Sequence, residues 1–262
     1  MLNKIQRERY LRHLLLKEVG GQGQARLLGS KALVVGAGGL GAPIIQYLAA
    51  AGVGEIGVAD DDSVELSNLQ RQTIYTAADV GSHKTAAARR FVGALNPDVR
   101  VNAIETRITD ENAEALAAAY DIVIEGVDSF EARFAINRGC IAARTPLVSA
   151  AIGRFDGQLS VFKPFSDPGR LPCYRCLVPE APPRDGQINC AEEGVLGAIA
   201  GVMGTLAAME ALKDLLGVGE TLAGRLLIYS GLDADMRTVR LPADPDCPDC
   251  RHLRSARDVA AE

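Results

Sequence analysis

Tryptophan is absent from this chain of 262 residues, and aromatic residues make up only 5% of it. Hydrophobic residues reach 48%, so a folded core is expected all the same, built mostly from Ala, Val, Leu, Ile and Gly. Histidine is scarce too. There are three, and none falls in a triad-like context, which leaves little room for histidine-based acid–base chemistry. An excess of positive charge is also missing: 28 Lys and Arg against 33 Asp and Glu leave a net of −5. That argues against whole-surface attraction to nucleic acid or anionic lipid. No apolar leader opens the chain, since MLNKIQRERYLRH is largely polar. The longest uncharged apolar stretch, 194–209, is too short for a membrane span. These absences lead us to expect a soluble, cytoplasmic protein that engages neither membrane nor nucleic acid.

What is present has a regular order. The pattern predicts a helix over 3–28, with Leu11, Leu14, Leu15 and Val19 on one side and Gly20-Gly21 at its end. Short apolar runs at 31–35, 56–59, 99–104 and 121–125 read as strands. Helical stretches at 43–51, 83–95, 111–119 and 134–143 separate or follow them, the second stopped by Asn96-Pro97. Two consecutive strands are expected at 147–151 and 158–163. This alternation implies a mostly parallel sheet with helices on both faces. A Pro-, Asp- and Arg-rich segment follows at 166–187, then a Gly/Ala-rich helix over 195–216. Its Gly197, Gly201 and Gly204 allow close packing, either in the core or against a second copy. A strand pair at 225–230 and 236–241 precedes a polar tail. No repeat or linker divides the chain, so one α/β domain over 1–262 is expected.

The chemistry begins at Gly36-Ala37-Gly38-Gly39-Leu40-Gly41, between a predicted strand and a predicted helix. Glycines there let backbone N–H groups and a helix N-terminus approach phosphate oxygens. Asp60 lies 19 residues after Gly41, at the end of the next strand, where an acid can bond a ribose hydroxyl. A first reading is an NAD(P)- or flavin-dependent oxidoreductase. The segment Ser67-Asn68-Leu69-Gln70-Arg71-Gln72 and the later Lys84 argue for something else. A pyrophosphate is held largely by backbone, whereas a triphosphate gains from Arg and Lys partners. The pattern therefore favours ATP; the alternative is that Arg71 and Lys84 are two solvated surface charges. His83 lies beside Lys84 and near this site. Asp128 follows an apolar strand, where it could hold Mg²⁺ against phosphates or cap the following helix.

Six cysteines complete the set: Cys140, Cys173, Cys176, Cys190, Cys247 and Cys250. Cys173-Tyr174-Arg175-Cys176 and Cys247-Pro248-Asp249-Cys250 are C-x-x-C pairs separated by 70 residues. Four thiolates suit tetrahedral Zn²⁺ if the fold brings the pairs together. A redox pair or free core thiols would explain them otherwise. Cys140 falls beside Ile141 and reads as core. Cys190 precedes the long helix, whose dipole could stabilise a thiolate.

Taken together, the glycine loop, the acidic strand end, Ser-Asn-Leu-Gln-Arg-Gln, the downstream Lys and the two cysteine pairs resemble the ThiF/MoeB/HesA family. These proteins are bacterial relatives of ubiquitin-activating enzymes, and the likeness leans toward the molybdopterin-synthase branch. It runs from about Arg9 to Arg251. The resemblance implies a Rossmann-like, three-layer α/β sheet extended by further strands, with a four-cysteine zinc site. Within it, 1–29 would be an N-terminal helical segment, 30–151 a nucleotide-binding half, 152–250 a carrier-binding and zinc half, and 251–262 a tail. The implied activity is ATP-dependent adenylation of the C-terminal glycine of a small ubiquitin-like sulfur carrier ending Gly-Gly. By the same resemblance Gly36, Gly38, Gly39 and Gly41 frame the nucleotide, and Asp60, with Asp62 and Ser67 to Gln70 nearby, completes its surroundings. Asn68, Arg71 and Lys84 would hold phosphate oxygens, and Asp128 would bind Mg²⁺. Arg12 would act in trans in a homodimer. The family often has Asn after the magnesium Asp; here Ser129 is shorter, so that contact would be lost or bridged by water. A cysteine at the place of Cys190 links to the carrier in some members and is dispensable in others. The chain ends soon after the second pair, which leads us to expect a separate sulfur donor, a cysteine desulfurase or rhodanese.

Overall fold

Two short apolar runs without polar alternation become the middle of the sheet: β1 (Lys31–Val35) and β4 (Ile122–Glu125). Nearly all their residues are buried, as expected of parallel strands covered on both faces. β2 (Glu55–Ala59) pairs with β1, β3 (Arg100–Ile104) with β2, and β5 (Leu147–Ile152) with β4, all parallel. The computed structural model describes residues 2–182 and 194–254. Within them the sheet has eight strands in the order β3-β2-β1-β4-β5-β6-β7-β8. The last three, β6 (Asp156–Phe162), β7 (Arg225–Ser230) and β8 (Asp235–Arg240), are antiparallel.

Alternation along each strand sorts the side chains between two layers. Ala32 and Val34 join Ile44, Leu48, Ala88, Val92, Met203 and Ala207 on one face. That face is covered by α4 (Gly41–Ala51), α5 (Lys84–Leu95) and α9 (Gly197–Leu216). Leu33 and Val35 join Ala113, Ala117, Phe134 and Tyr174 on the other. There α6 (Ala113–Ala118), α7 (Phe130–Ala143) and α8 (Tyr174–Leu177) pack. The three-layer α/β architecture with an extended sheet is thus as expected. Cys140 is buried in this second layer.

The expected N-terminal helix is replaced by α1 (Lys4–Arg9), α2 (Leu11–Leu14) and α3 (Gly20–Gly29). The first break comes at Tyr10, which is drawn into the core, where its hydroxyl accepts from Asn96 Nδ2 at 2.9 Å. Gly20 has φ +54° and opens α3 instead of ending a helix. Leu11 and Leu15 remain exposed, so the apolar side of this segment is not buried by its own chain. α7 begins four residues before the expected 134 because the Ser129 hydroxyl accepts from Ala132 N at 3.3 Å and caps it. The remaining boundaries move by one or two residues. Cys190 lies outside the described residues. No described helix is long and apolar enough to cross a membrane.

Candidate functional site

Strand order reverses between β1 and β4, and ligands of open α/β sheets bind at the carboxyl ends of strands at such a point. Val35 registers with Ala59 and with Glu125, so three strand ends open together. The crevice beyond them has a volume of about 1320 Å³. It runs from Gly36, Gly38 and Gly39 past Asp60 and Asp128 to Gln158, Ser160 and Leu226 on the antiparallel strands.

The loop at its head is held by specific bonds. Gly36 has φ +86°, a conformation costly for other residues, and donates to the Ala59 carbonyl at 2.9 Å. Ala37 N donates to Asp60 Oδ2 at 2.7 Å, and the Tyr75 hydroxyl donates to the Ala37 carbonyl at 2.8 Å. Gly41 starts α4 directly behind the loop, where a Cβ would sit 2.0 Å from the Gly36 oxygen. Gly41→Ala must therefore push the loop open. We expect at least a tenfold loss of ATP affinity by calorimetry, with a stability loss of about 1–3 kcal/mol in denaturant melts.

A charged cluster borders the loop. Lys84 is buried at 6% exposure, with Nζ 2.7 Å from Asp62 Oδ2 and 3.8 Å from Asp60 Oδ1. Burial raises the Asp60 pKa, while Lys84 and the Ala37 and Asp62 amides pull it back. Arg71 donates to the Ser67 carbonyl at 3.0 Å, and its stem lies against Gly39. Asn68 is buried and accepts from Glu65 N at 3.2 Å, which shapes the turn that presents Arg71. Lys84, Arg71, Asn68, Asp60, Asp62, Asp128 and Ser129 all line the crevice. Ser67, Leu69 and Gln70 do not; Leu69 packs on the core, and the Gln70 carbonyl abuts Gly197 of α9. Of the three α9 glycines, Gly197 and Gly204 are in close contact, and Gly201 has open space at its Cβ. His83 is exposed and lies 4.0 Å from Glu105. Arg12 is exposed on α2 and lines no part of this crevice.

Sequence reasoning missed the buried ion pair beneath the 126–128 turn. Glu125 at the end of β4 is 1% exposed and pairs with Arg133 of α7 at 3.2 Å. Burial raises the Glu125 pKa, and Arg133 opposes that rise. Gly126 was also missed; its Cβ would lie 2.6 Å from that of Leu40, so β4 ends in contact with the glycine loop. A charged residue closing an otherwise apolar strand was the available signal. Asp128 itself is exposed, and among the described residues no hydrogen bond or ion pair engages its carboxylate. The cap that Asp128 could have supplied comes from Ser129.

Far along the chain the two cysteine pairs meet. Their four sulfurs lie within 4.8 Å of one another. Cys173–Cys247 and Cys176–Cys250 are 3.6 Å apart and Cys173–Cys176 3.9 Å. Four sulfurs placed tetrahedrally about 2.3 Å from a zinc ion stand about 3.8 Å apart. The donor set and spacing thus fit that ion, and the five described cysteines form no disulfide.

Comparison with known proteins places the chain in a family. The model of the ThiF family matches residues 10–249. A sulfur carrier protein adenylyltransferase of Thermus thermophilus is 47% identical over 253 residues, covering 96% of this chain and 93% of that protein. A SAMP-activating enzyme E1 of Haloferax volcanii is 48% identical over 249 residues, covering 95% and 90%. The solved structure of E. coli MccB with ATP superposes with a TM-score of 0.78 at 23% identity, over 93% of this chain and 74% of that one. At that identity the likeness concerns the fold.

Proposed function

Because this chain belongs to the ThiF family, we propose that it adenylates the C-terminal glycine of a small ubiquitin-like sulfur carrier with ATP. The observation that carries the reading is the single crevice that joins the glycine loop and its buried Lys84 to the floor of β6 and β7. A nucleotide at the loop leaves room beside it for a second, extended reactant. A buried ammonium beside the ribose acid suits a triphosphate better than a redox dinucleotide.

The carrier carboxylate, ionised near neutral pH, attacks the α-phosphorus of ATP. The bond from that phosphorus to the bridging oxygen of the β-phosphate breaks, pyrophosphate leaves, and an acyl-adenylate forms. No general base is needed, in keeping with a histidine-poor site. Rate comes from placement and from charge neutralisation. Asp60 receives the ribose, and Arg71 and Lys84 receive phosphate oxygens. Asp128, with an exposed carboxylate in the crevice, would hold Mg²⁺, which would supply further neutralisation of phosphate charge. The four cysteines would hold Zn²⁺ as a structural clasp, remote from the reaction. The product is an activated acyl group for a sulfur donor of the cysteine desulfurase or rhodanese class.

Arg12 completes the site from a second copy of the chain. The exposed Ile5, Leu11, Leu15 and Leu16 around it form an apolar surface suited to such a contact. Arg12→Ala should lower adenylation by about 10³–10⁵-fold, the range of arginine fingers elsewhere, while carrier binding persists. Mixing it with Lys84→Met should restore about a quarter of the activity, since half the dimers then carry one intact site. Unchanged exchange in Arg12→Ala, or no recovery on mixing, would refute a role in trans. The reading itself is tested by trapping the acyl-adenylate with candidate carriers: absence of adenylate with every Gly-Gly carrier would reject it.

A further inference from the structure

The guanidinium of Arg133 is nearly filled with partners. Nε and Nη2 donate to the Val127 carbonyl at 3.0 and 2.6 Å. Nη2 also donates to the Ala150 carbonyl at 3.0 Å, and Nη1 to Glu125 Oε1 at 3.2 Å. Glu125 reaches the same turn from below: its Oε2 accepts from Val127 N at 3.1 Å, and its Oε1 accepts from the Ser149 hydroxyl. One buried ion pair therefore grips both the N–H and the C=O of Val127, the residue before Asp128. The Tyr174 ring, next in sequence to Cys173, lies 5.9 Å from the guanidinium and closes it off.

Packing alone does not call for this arrangement. A buried ion pair can often be replaced by apolar groups without loss of stability. No apolar pair, however, can fix the direction of a peptide group. Asp128 makes no side-chain hydrogen bond or close ion pair among the described residues. The Arg133 guanidinium attracts it through space, so its direction is set by the turn that carries it and by the same guanidinium that holds that turn.

We propose that Arg133 and Glu125 are positioning residues for Asp128, holding the 126–128 turn so that its carboxylate is presented to a nucleotide-bound divalent cation. The inference rests on the adenylation reading for its purpose, but its structural core is independent of it. Neither side chain needs to touch the reacting atoms.

The test is the double variant Glu125→Gln/Arg133→Met, which removes both charges together and leaves an amide whose oxygen can accept from Val127 N while its NH2 donates to the Ser149 hydroxyl oxygen. Arg133→Lys is its companion: it keeps the charge but cannot bridge Val127 and Ala150 with one planar group. Hydrogen–deuterium exchange of a peptide spanning 126–129 should quicken at least about tenfold in both variants, with β1 and α9 unchanged. Binding of Mn²⁺ to protein loaded with a non-hydrolysable ATP analogue, read by electron paramagnetic resonance, should weaken at least about tenfold. Melting temperatures should stay within about 5 °C of the parent. If the double variant fails to fold, Arg133→Lys carries the same two readouts. Parent-like exchange at 126–129, or parent-like Mn²⁺ affinity, in a folded variant overturns the proposal. If the parent adenylates no carrier and 126–129 still loosens in the variants, the adenylation reading falls and the positioning role stands.

Discussion

Lys84→Met is expected to lower carrier-dependent ATP–pyrophosphate exchange by about 10²–10³-fold, the usual cost of deleting one preorganised group that meets developing charge. The loss should fall mainly on kcat, because the ammonium's partner is the leaving pyrophosphate. A second signature separates this from general damage. Lys84 is the nearby cation that holds down the pKa of buried Asp60. Without it that pKa rises further, so the acid limb of ATP binding should move to higher pH. The sign follows from burial. A carboxyl whose pKa is raised on folding favours the fold below its unfolded value, about 3.9, and that contribution is lost as pH rises through the folded value. Lys84→Met should therefore be most destabilised, relative to the parent, above the folded pKa of Asp60 and least so in acid. A pH series of exchange rates and thermal melts checks both. A variant with parent-like kcat and an unmoved acid limb would leave Lys84 only a structural ion-pair partner of Asp62.

The cysteine cluster should produce the largest effect on stability. It joins α8 to the turn at Arg251–Leu253, tying the end of the described chain to the layer over α7. Asn137 reinforces the joint, donating to Asp249 Oδ2 at 2.9 Å and accepting from Tyr174 N at 2.9 Å. Structural zinc is worth about 10–16 kcal/mol in small peptides, and part of that should appear here. Cys247→Ser, or metal removal by a strong chelator, should lower the melting temperature by at least about 10 °C, with 1 kcal/mol moving a chain of this size about 2–4 °C. About one zinc per chain should be found by elemental analysis of the native protein, in keeping with one tetrahedral four-sulfur site. A metal-free protein of full stability would assign the thiols to core packing.

How far this molecule was legible depended on the range of each signal. β1 and β4 announce themselves because an unbroken apolar run of three or four residues has nowhere to go but the middle of a parallel sheet. The glycine loop, Asp60 and the following helix are local too, and they fold as read. Arg71 and Lys84 could be placed near the loop but not in it; burial of Lys84 against Asp60 and Asp62 depends on how α5 returns to β2. The N-terminal segment misled because its helix is interrupted by a distant residue: Asn96 takes Tyr10 inward, 86 residues along the chain. The anchoring of Arg133 to Glu125 and to the Ala150 carbonyl was hidden for the same reason, since it needs β5 beside β4. Residue type suggested a metal at the cysteines, but only the fold carries Cys247 to 3.6 Å from Cys173.

The most direct measurement is the transfer of label from pyrophosphate into ATP by the purified protein with a carrier ending Gly-Gly. The account predicts that label enters ATP only when the carrier is present, that removing the carrier's terminal glycine stops it, and that nicotinamide and flavin coenzymes do not compete. Failure to label ATP with every such carrier, or labelling that is indifferent to the carrier, would contradict it.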